Sequence, residues 1–185
     1  MLEIEFISTK NTDLQSQLKD MDIFEAAKLN KISELRGFLG SQDPNQTDAR
    51  GSTPLIIAAY YNNKEAVQCL VDYGVALDLK DNTGNTALMG ASFKGFSECA
   101  KIMLEAGANA NERNDNNATA LTFASTFGHL GIISLLTQFG ADVTIRDRFG
   151  KNPIDYALIQ ENELCYEYLV AHLKQTQTNH LQNNA

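Results

Sequence analysis

One short pattern returns along this chain every 33 residues, and this period constrains the fold more than any other feature. Its four regular copies begin at Gly51, Gly84, Asn117 and Gly150, and no insertion separates them. Each copy has Thr or Asn two positions later, Leu or Ile four positions later, and Ala three residues beyond that. A fixed period of this length predicts a stack of similar supersecondary units, because one such unit cannot bury its apolar face alone.

Within one copy, the residue types predict two short helices followed by a turn. Thr53 is suited to cap the first helix through its hydroxyl, and Pro54 fits the first helical position, where a missing N–H costs nothing. Leu55 and Ala58 begin an apolar stripe at helical spacing. The second helix is predicted to end at Gly74, where a left-handed residue stops it. The Asp, Asn and Gly residues that follow favour a hairpin-like turn.

An earlier, degraded copy begins near Ile23 and is one residue shorter than the others. We therefore predict about five units within residues 21–174. Their expected bounds are 21–47, 48–80, 81–113, 114–146 and 147–174. Residues 1–20 are predicted to form an N-terminal extension. Residues 175–185 are predicted to be a polar, disordered tail, because few of them are apolar enough to pack.

The Gly-x-Thr-Pro-Leu start, the central pair of alanines, Gly128-His129 and the ending at 136–141 resemble the ankyrin repeat family. This resemblance implies an all-α solenoid of helix-turn-helix units with projecting hairpin-like turns, whose first and last units act as caps. The family's usual His after the Leu of this start is absent here. Because that His often ties adjacent repeats, its loss predicts weaker hydrogen bonding between them. The four positions hold Ile56, Met89, Thr122 and Asp155.

Charge and motif content argue against several classes of function. The chain has 15 basic and 23 acidic residues, so its formal charge is −8, which disfavours binding to nucleic acid or to anionic membranes. No catalytic motif and no metal-binding pattern is present, so we expect no enzyme activity and no cofactor. The three cysteines, Cys69, Cys99 and Cys165, are expected to be buried and reduced, in a cytoplasmic setting. His129 is interpreted as structural, since the resemblance places it at the family's Gly-His position.

The resemblance also implies where a partner would bind: at the turn tips and at the exposed ends of the first helices. Large apolar and aromatic residues at such sites usually mark interaction surfaces. Stacking of successive units predicts a row of rings about 10 Å apart, unless some of them pack against the next repeat instead. The candidate partner-binding residues are Arg50, Tyr60, Tyr61, Asn82, Phe93, Lys94, Phe127, Arg148 and Phe149.

These observations predict a non-enzymatic protein–protein interaction module that binds a partner protein through its concave groove, as an adaptor or an inhibitor. The alternative is a structural or self-assembling accessory protein. We expect a monomer when no partner is bound. Asn111 resembles turn asparagines that are hydroxylated in some ankyrin proteins, and its ordinary role would be to hydrogen-bond the turn.

Overall fold

A computed structural model describes residues 21–183 of the chain, with side chains to residue 178. The described residues form helices joined by turns, without any strand, which confirms the expected all-α fold. The helices are α1 (Ile23–Lys28), α2 (Ile32–Leu39), α3 (Pro54–Tyr60), α4 (Lys64–Tyr73), α5 (Ala87–Lys94), α6 (Ser97–Glu105), α7 (Ala120–Thr126), α8 (Leu130–Gln138), α9 (Pro153–Ile159) and α10 (Glu163–Asn183). The expected extension at residues 1–20 lies outside the described part.

The helices stack in two layers. The first helices of successive units pack on one another in the order α1, α3, α5, α7, α9. The second helices do the same in the order α2, α4, α6, α8, α10, and each also packs on the first helix of its own unit. Every internal repeat therefore depends on its two neighbours, as in other solenoids.

The start of each regular first helix has the predicted cap. The Thr53 hydroxyl accepts a hydrogen bond from the backbone N–H of Ile56 at 3.2 Å. In the fourth and fifth units the residue at the family's His position completes a reciprocal cap, because Thr122 bonds back to Thr119 and Asp155 bonds back to Asn152. Both caps satisfy backbone N–H groups that a helix start leaves without partners.

Left-handed residues stand at helix ends and in the turns. Gly74 ends α4 with φ 88°, as predicted, and Asn117, which stands in the turn before α7 where the other copies have Gly, has φ 58°. Glu161 also has φ 54° at a position held by Asn62 and Gly95 in earlier units. Gly adopts this conformation freely and Asn tolerates it, whereas other residues with a Cβ pay about 1–2 kcal/mol, so Glu161 gives the last unit a larger local strain than Asn62 or Gly95 gives the inner units.

Hydrogen bonds between repeats persist despite the missing family His. The Asn63 side chain donates to the carbonyls of Ala27 and Lys28 in the preceding unit, at 2.9 and 2.6 Å. His129 contacts the carbonyl of Phe93 at 3.2 Å in the same way, so its structural role is confirmed. These contacts do not indicate the expected weaker hydrogen bonding between repeats. Side chains at a different position of the unit, Asn63 and His129, make the hydrogen bonds instead.

A second tie joins the turns. The Asn111 amide donates to the carbonyl of Gly140 at 2.9 Å, and its Oδ1 accepts from the N–H of Asp142 at 2.8 Å. Asp78, one unit earlier, accepts from the N–H of Asn109 at 3.0 Å. Asn111 thus makes the turn hydrogen bonds that are its ordinary role.

The core runs between the two layers along the described stack. It is built from apolar residues that recur at equivalent positions of successive units. Leu88 and Leu121, at equivalent positions, are fully buried. The cysteines are buried as predicted and none is in a disulfide. Burial raises the pKa of the Cys99 thiol to about 11, which keeps it protonated near neutral pH.

The end of the chain departs from the sequence expectation. Residues 175–185 are predicted to be disordered, whereas α10 continues as a helix through Asn183. Leu173 stands where the inner units have their helix-ending Gly, and neither Gly nor Pro follows it. The Thr176 hydroxyl bonds back to the carbonyl of Leu173 at 2.9 Å, so the helix continues past the repeat. No helix in the described part of the chain is long and apolar enough to cross a membrane.

Candidate functional site

A cleft of about 700 Å³ opens between the first helices and the turn tips of the first three units. Phe24 and Lys28 of α1 form one end of it, and Ile57 of α3 lies on its floor. Candidate residues from two turns and one helix end also line it. They are Arg50, Tyr60, Tyr61 and Asn82.

Four aromatic side chains lead out of this cleft along the first helices, and we call Tyr60, Tyr61, Phe93 and Phe127 the aromatic strip. The rings of Tyr60 and Tyr61 meet edge-on, with centroids 5.7 Å apart. Lys94 Nζ lies 4.6 Å from the Tyr60 centroid and 5.8 Å from that of Phe93, so it bridges the two rings. Phe93 meets Phe127 edge-on at 4.6 Å. The strip therefore continues from the second unit into the fourth.

The members of the strip differ in exposure. Tyr60, Tyr61 and Phe127 are 42%, 51% and 49% exposed. Phe93 is half-buried, because its ring also lies edge-on to Phe123 at 6.2 Å. The expected spacing of about 10 Å is wrong for Phe93 and Phe127, whose rings lean together across the repeat boundary. Packing against the next repeat, the alternative considered for these rings, applies to Phe93.

The turn tips are held to each other by their backbones. The N–H of Asn82 donates to the carbonyl of Arg50 at 2.9 Å, and the N–H of Arg148 donates to that of Asn116 at 2.9 Å. The Asn82 side chain adds to this tie by donating to the carbonyl of Ala49 at 3.3 Å. At the last tip the Arg148 guanidinium lies 4.8 Å from the ring centroid of Phe149, which is 63% exposed. Arg148 and Phe149 thus form a separate cation–aromatic pair.

Several cations of this surface have no carboxylate partner. Within the described part of the chain, no carboxylate oxygen comes within 4.0 Å of the charged groups of Arg50, Lys94 or Arg148. Lys28 does pair with Glu25, at 3.1 Å, and its Nζ also lies 5.9 Å from the Tyr61 ring centroid. Because no carboxylate lies beside them, these cations are available to pair with an acidic group of a bound molecule.

The carboxylates near the last tip have structural partners. The Tyr156 hydroxyl donates to Asp147, and burial together with this contact raises the pKa of Tyr156 to about 12. Burial alone would raise the pKa of Asp147, but hydrogen bonds from Tyr156 and from the N–H groups of Lys151 and Phe149 outweigh it and lower that pKa. Arg146 pairs with Asp155 at 3.2 Å. These groups stabilise the last unit rather than offering free charges.

Sequence reasoning missed four residues of this surface, namely Phe24, Lys28, Phe123 and Tyr156. Two of them carried a signal, because Phe123 and Tyr156 follow Ile57 and Gly90 at the repeat period, and Ile57 and Gly90 precede Tyr60 and Phe93 by three residues on the same helical face. Lys28 belongs to the shortened first unit, where the register is harder to assign. Residues 21–178 contain no group of three or more His, Cys, Asp or Glu that could hold a metal ion.

The family model described as ankyrin repeats in three copies matches residues 23–114 and again residues 106–180. The chain belongs to the ankyrin repeat family. The two matches cover most of the chain and confirm both the resemblance seen in the repeats and the solenoid fold. Ankyrin repeats are generally protein–protein interaction modules and typically have no enzyme activity.

Proposed function

We propose that this ankyrin repeat protein binds a partner protein along the aromatic strip, without catalysing a reaction, as an adaptor or an inhibitor. The observation that carries the proposal is the exposure of Tyr60, Tyr61 and Phe127, which are about half exposed in one continuous row of contacts. Exposed aromatic rows of this kind are uncommon on surfaces that bind nothing, and aromatic side chains dominate the binding energy of most interfaces.

Two further observations support the proposal. The buried cysteines are poor nucleophiles, since burial keeps Cys99 and Cys165 protonated by raising the pKa of both thiols. We also propose a cytoplasmic location for the protein. Three cysteines without a disulfide fit the reducing conditions of that compartment. The first and last units would act as caps of the stack.

The test is a capture of partners from the native host, followed by calorimetry with the purified partner. Phe127→Ala should weaken binding roughly thirty-fold or more, which corresponds to about 2 kcal/mol for a hot-spot ring. The matched control is Phe139→Ala. Both rings follow directly on a helix and are similarly exposed, at 49% and 41%, but Phe139 belongs to the layer of second helices.

We expect Phe139→Ala to change the affinity by less than about twofold, since an uncovered ring contributes little to an interface. Equal losses for the two variants would contradict binding along the strip. If neither variant changes the affinity for the partner, the interface lies elsewhere on the protein.

One observation favours the alternative of self-assembly. Leu158 of α9 is 59% exposed at the C-terminal end of the described stack, whereas the equivalent Ala59, Ser92 and Ser125 are fully buried under the next unit. A second copy could cover this end. Light scattering over a range of concentrations decides between the two: our proposal expects a monomer, and a concentration-dependent dimer that Leu158→Asp abolishes would support self-assembly.

A further inference from the structure

We propose that the groove formed by the cleft and the aromatic strip selects an extended partner segment that carries acidic side chains among apolar ones. This inference rests on the proposed function, because it assigns a chemical class to the partner of the same surface. It follows from the positions of the cations relative to the rings, from the distribution of charge between the two layers, and from the way the acids of the cleft are occupied.

The cations stand beside the rings. Lys94 lies between Tyr60 and Phe93, and Arg50 lines the cleft that Tyr60 and Tyr61 enter. A carboxylate that reached Lys94 or Arg50 would therefore come from a chain whose neighbouring apolar side chains rest on the strip. Charge pairing beside a ring that excludes water is stronger than the same pairing in open solvent.

The second helices are more acidic than the first helices. The first helices carry two acidic and two basic side chains, whereas the second helices carry seven acidic and four basic ones within residues 32–183. An acidic segment is therefore repelled more by the layer of second helices, and the unpaired cations Arg50 and Lys94 on the groove side stand beside aromatic rings. Such an arrangement favours one face and orients the partner during approach. The seven acids are Glu34, Glu65, Asp72, Glu98, Glu105, Glu163 and Glu167.

Three acids also line the cleft, but each already has partners: Glu25 pairs with Lys28 at 3.1 Å, and the turns use Asp48 and Asp81. Asp48 Oδ1 accepts from the N–H groups of Arg50 and Ser52, both at 2.8 Å. Asp81 Oδ1 accepts from the N–H of Thr83 at 2.8 Å and from its hydroxyl at 2.7 Å. Donors that point at a carboxylate offset much of its field, so these acids oppose an acidic ligand less than free ones would.

The geometry also sets a length. Adjacent stacked helices lie about 8–10 Å apart, and an extended chain advances about 3.3 Å per residue, so one repeat corresponds to about three residues. A segment that runs from Arg50 past Lys94 to Phe127 crosses two repeat steps and needs about six to nine residues. A twelve-residue peptide is therefore long enough to contact the whole strip.

The test is selection of twelve-residue random peptides displayed on phage, with the full-length protein as bait. We expect the selected peptides to be enriched in Asp and Glu together with apolar residues. The triple variant Arg50→Gln, Lys94→Gln and Arg148→Gln should bind a selected peptide about tenfold more weakly in fluorescence anisotropy, as several surface charge pairs would predict. Raising the salt should weaken binding to the wild type.

A matched triple variant on the second helices, Lys64→Gln, Lys101→Gln and Lys174→Gln, makes the same change in net charge away from the groove. It should alter the affinity less than about twofold. Selected peptides that are neutral or basic would overturn the inference. So would acidic peptides that lose the same affinity with both triple variants, because long-range charge alone would then explain their binding.

Two variants separate this inference from the proposed function. If neutral peptides are selected and Tyr61→Ala and Phe127→Ala abolish their binding, the acidic preference is wrong and binding along the strip stands. If the selected peptides bind regardless of Tyr61→Ala and Phe127→Ala, both proposals fail. A selection that yields no binding peptide overturns the inference, and the capture from the native host then decides on the proposed function.

Discussion

Tyr60 and Phe93 occupy the same position in successive units, yet their surroundings differ. Tyr60 is 42% exposed and lies over Gly90, where a Cβ would come only to 3.9 Å from its ring. Phe93 meets Phe123, which is the equivalent of Gly90 one unit later, and is half-buried. A single difference in the following repeat, Gly or Phe, thus decides whether a ring on this face stays open or is covered.

The same difference separates the two halves of the groove. The first half keeps an open cleft with the two tyrosines and the cations Lys28, Arg50 and Lys94 around it. In the second half, phenylalanine rings from the third and fourth units fill the space against one another. Repeats with the same backbone can therefore leave an open cleft lined by cations at one end of a groove and a closely packed apolar surface at the other.

The largest effect should be the same in both halves. Leu88→Ala and Leu121→Ala each remove a fully buried side chain at the equivalent position of successive units, and each should cost about 2–5 kcal/mol of unfolding free energy. Chemical denaturation monitored by circular dichroism measures this. Leu158→Ala, at an exposed position, is the control and should stay within about 0.5 kcal/mol. Two separate transitions in these denaturation curves would mean that the halves unfold separately.

The next effect concerns the anchoring of the C-terminal half. Tyr156→Phe removes the hydroxyl that donates to Asp147 and should cost about 1.5–3 kcal/mol at neutral pH, as for hydrogen bonds to charged groups. The pKa of Asp147 is lowered in the folded state, so its contribution is present above its usual value of 3.8 and is lost as the pH falls through the folded value. The difference between wild type and variant should therefore shrink below about pH 4.

Alkaline pH tests the donor of the same hydrogen bond. The pKa of Tyr156 is raised from 10.0 to about 12, so its contribution is complete below pH 10 and is lost as the pH rises toward 12. Denaturation curves at several pH values, compared with Tyr166→Phe, provide the measurement. The Tyr166 hydroxyl makes no hydrogen bond to the described residues. The difference in stability between wild type and Tyr166→Phe should therefore show neither the change at acid pH nor the change at alkaline pH. A pH-independent loss for Tyr156→Phe would exclude the ionised partner.

A smaller effect tests the comparison between Tyr60 and Phe93 directly. Phe93→Ala should cost about 1–2 kcal/mol, because it loses edge-on contacts with Phe123 and Phe127, whereas Tyr60→Ala should cost less than about 1 kcal/mol. A double-mutant cycle with Phe123→Ala should give a coupling of about 0.5–1.5 kcal/mol for Phe93 and close to zero for Tyr60. Equal coupling for both rings would remove the distinction.

The smallest effect is that of the bridging cation. Lys94→Gln should lower the unfolding free energy by about 0.5–1 kcal/mol, as for an exposed cation–aromatic contact, and this loss should diminish at high salt. Lys101→Gln, which removes only an exposed pair with Glu105, is the control. Equal losses for the two variants would mean that the contact of Lys94 with the ring of Tyr60 does not stabilise the fold.

Much of the fold follows from short-range features of the sequence. The hydroxyl of Thr53 caps the helix that begins one residue later, and Gly74 adopts the left-handed conformation expected of it. Such features involve residues only a few positions apart, so a linear pattern carries them. The repeat period then implies that each unit stacks on the next, which accounts for the buried leucines and cysteines. The length of α10 was missed, because the polarity of its last residues indicated a tail.

The candidate site could be predicted only in part. The sequence located the positions of Tyr60, Tyr61 and Phe127 on the exposed ends of the first helices, and these side chains are exposed in the structure. It did not indicate that Phe93 would be half-buried, or that Lys28 would reach the Tyr61 ring. Each of these outcomes depends on a contact between side chains that are about one repeat apart in the chain.

The sequence by itself determined the solenoid, its period and the face on which the aromatic residues lie, since these follow from local capping, helical phase and the need of each unit to bury its apolar side. The tertiary structure decided which rings remain open and which cations remain unpaired. Those properties depend on how side chains of adjacent repeats fill the space between them, as Gly90 and Phe123 show, and the volume left beside a ring is a property of the packed stack.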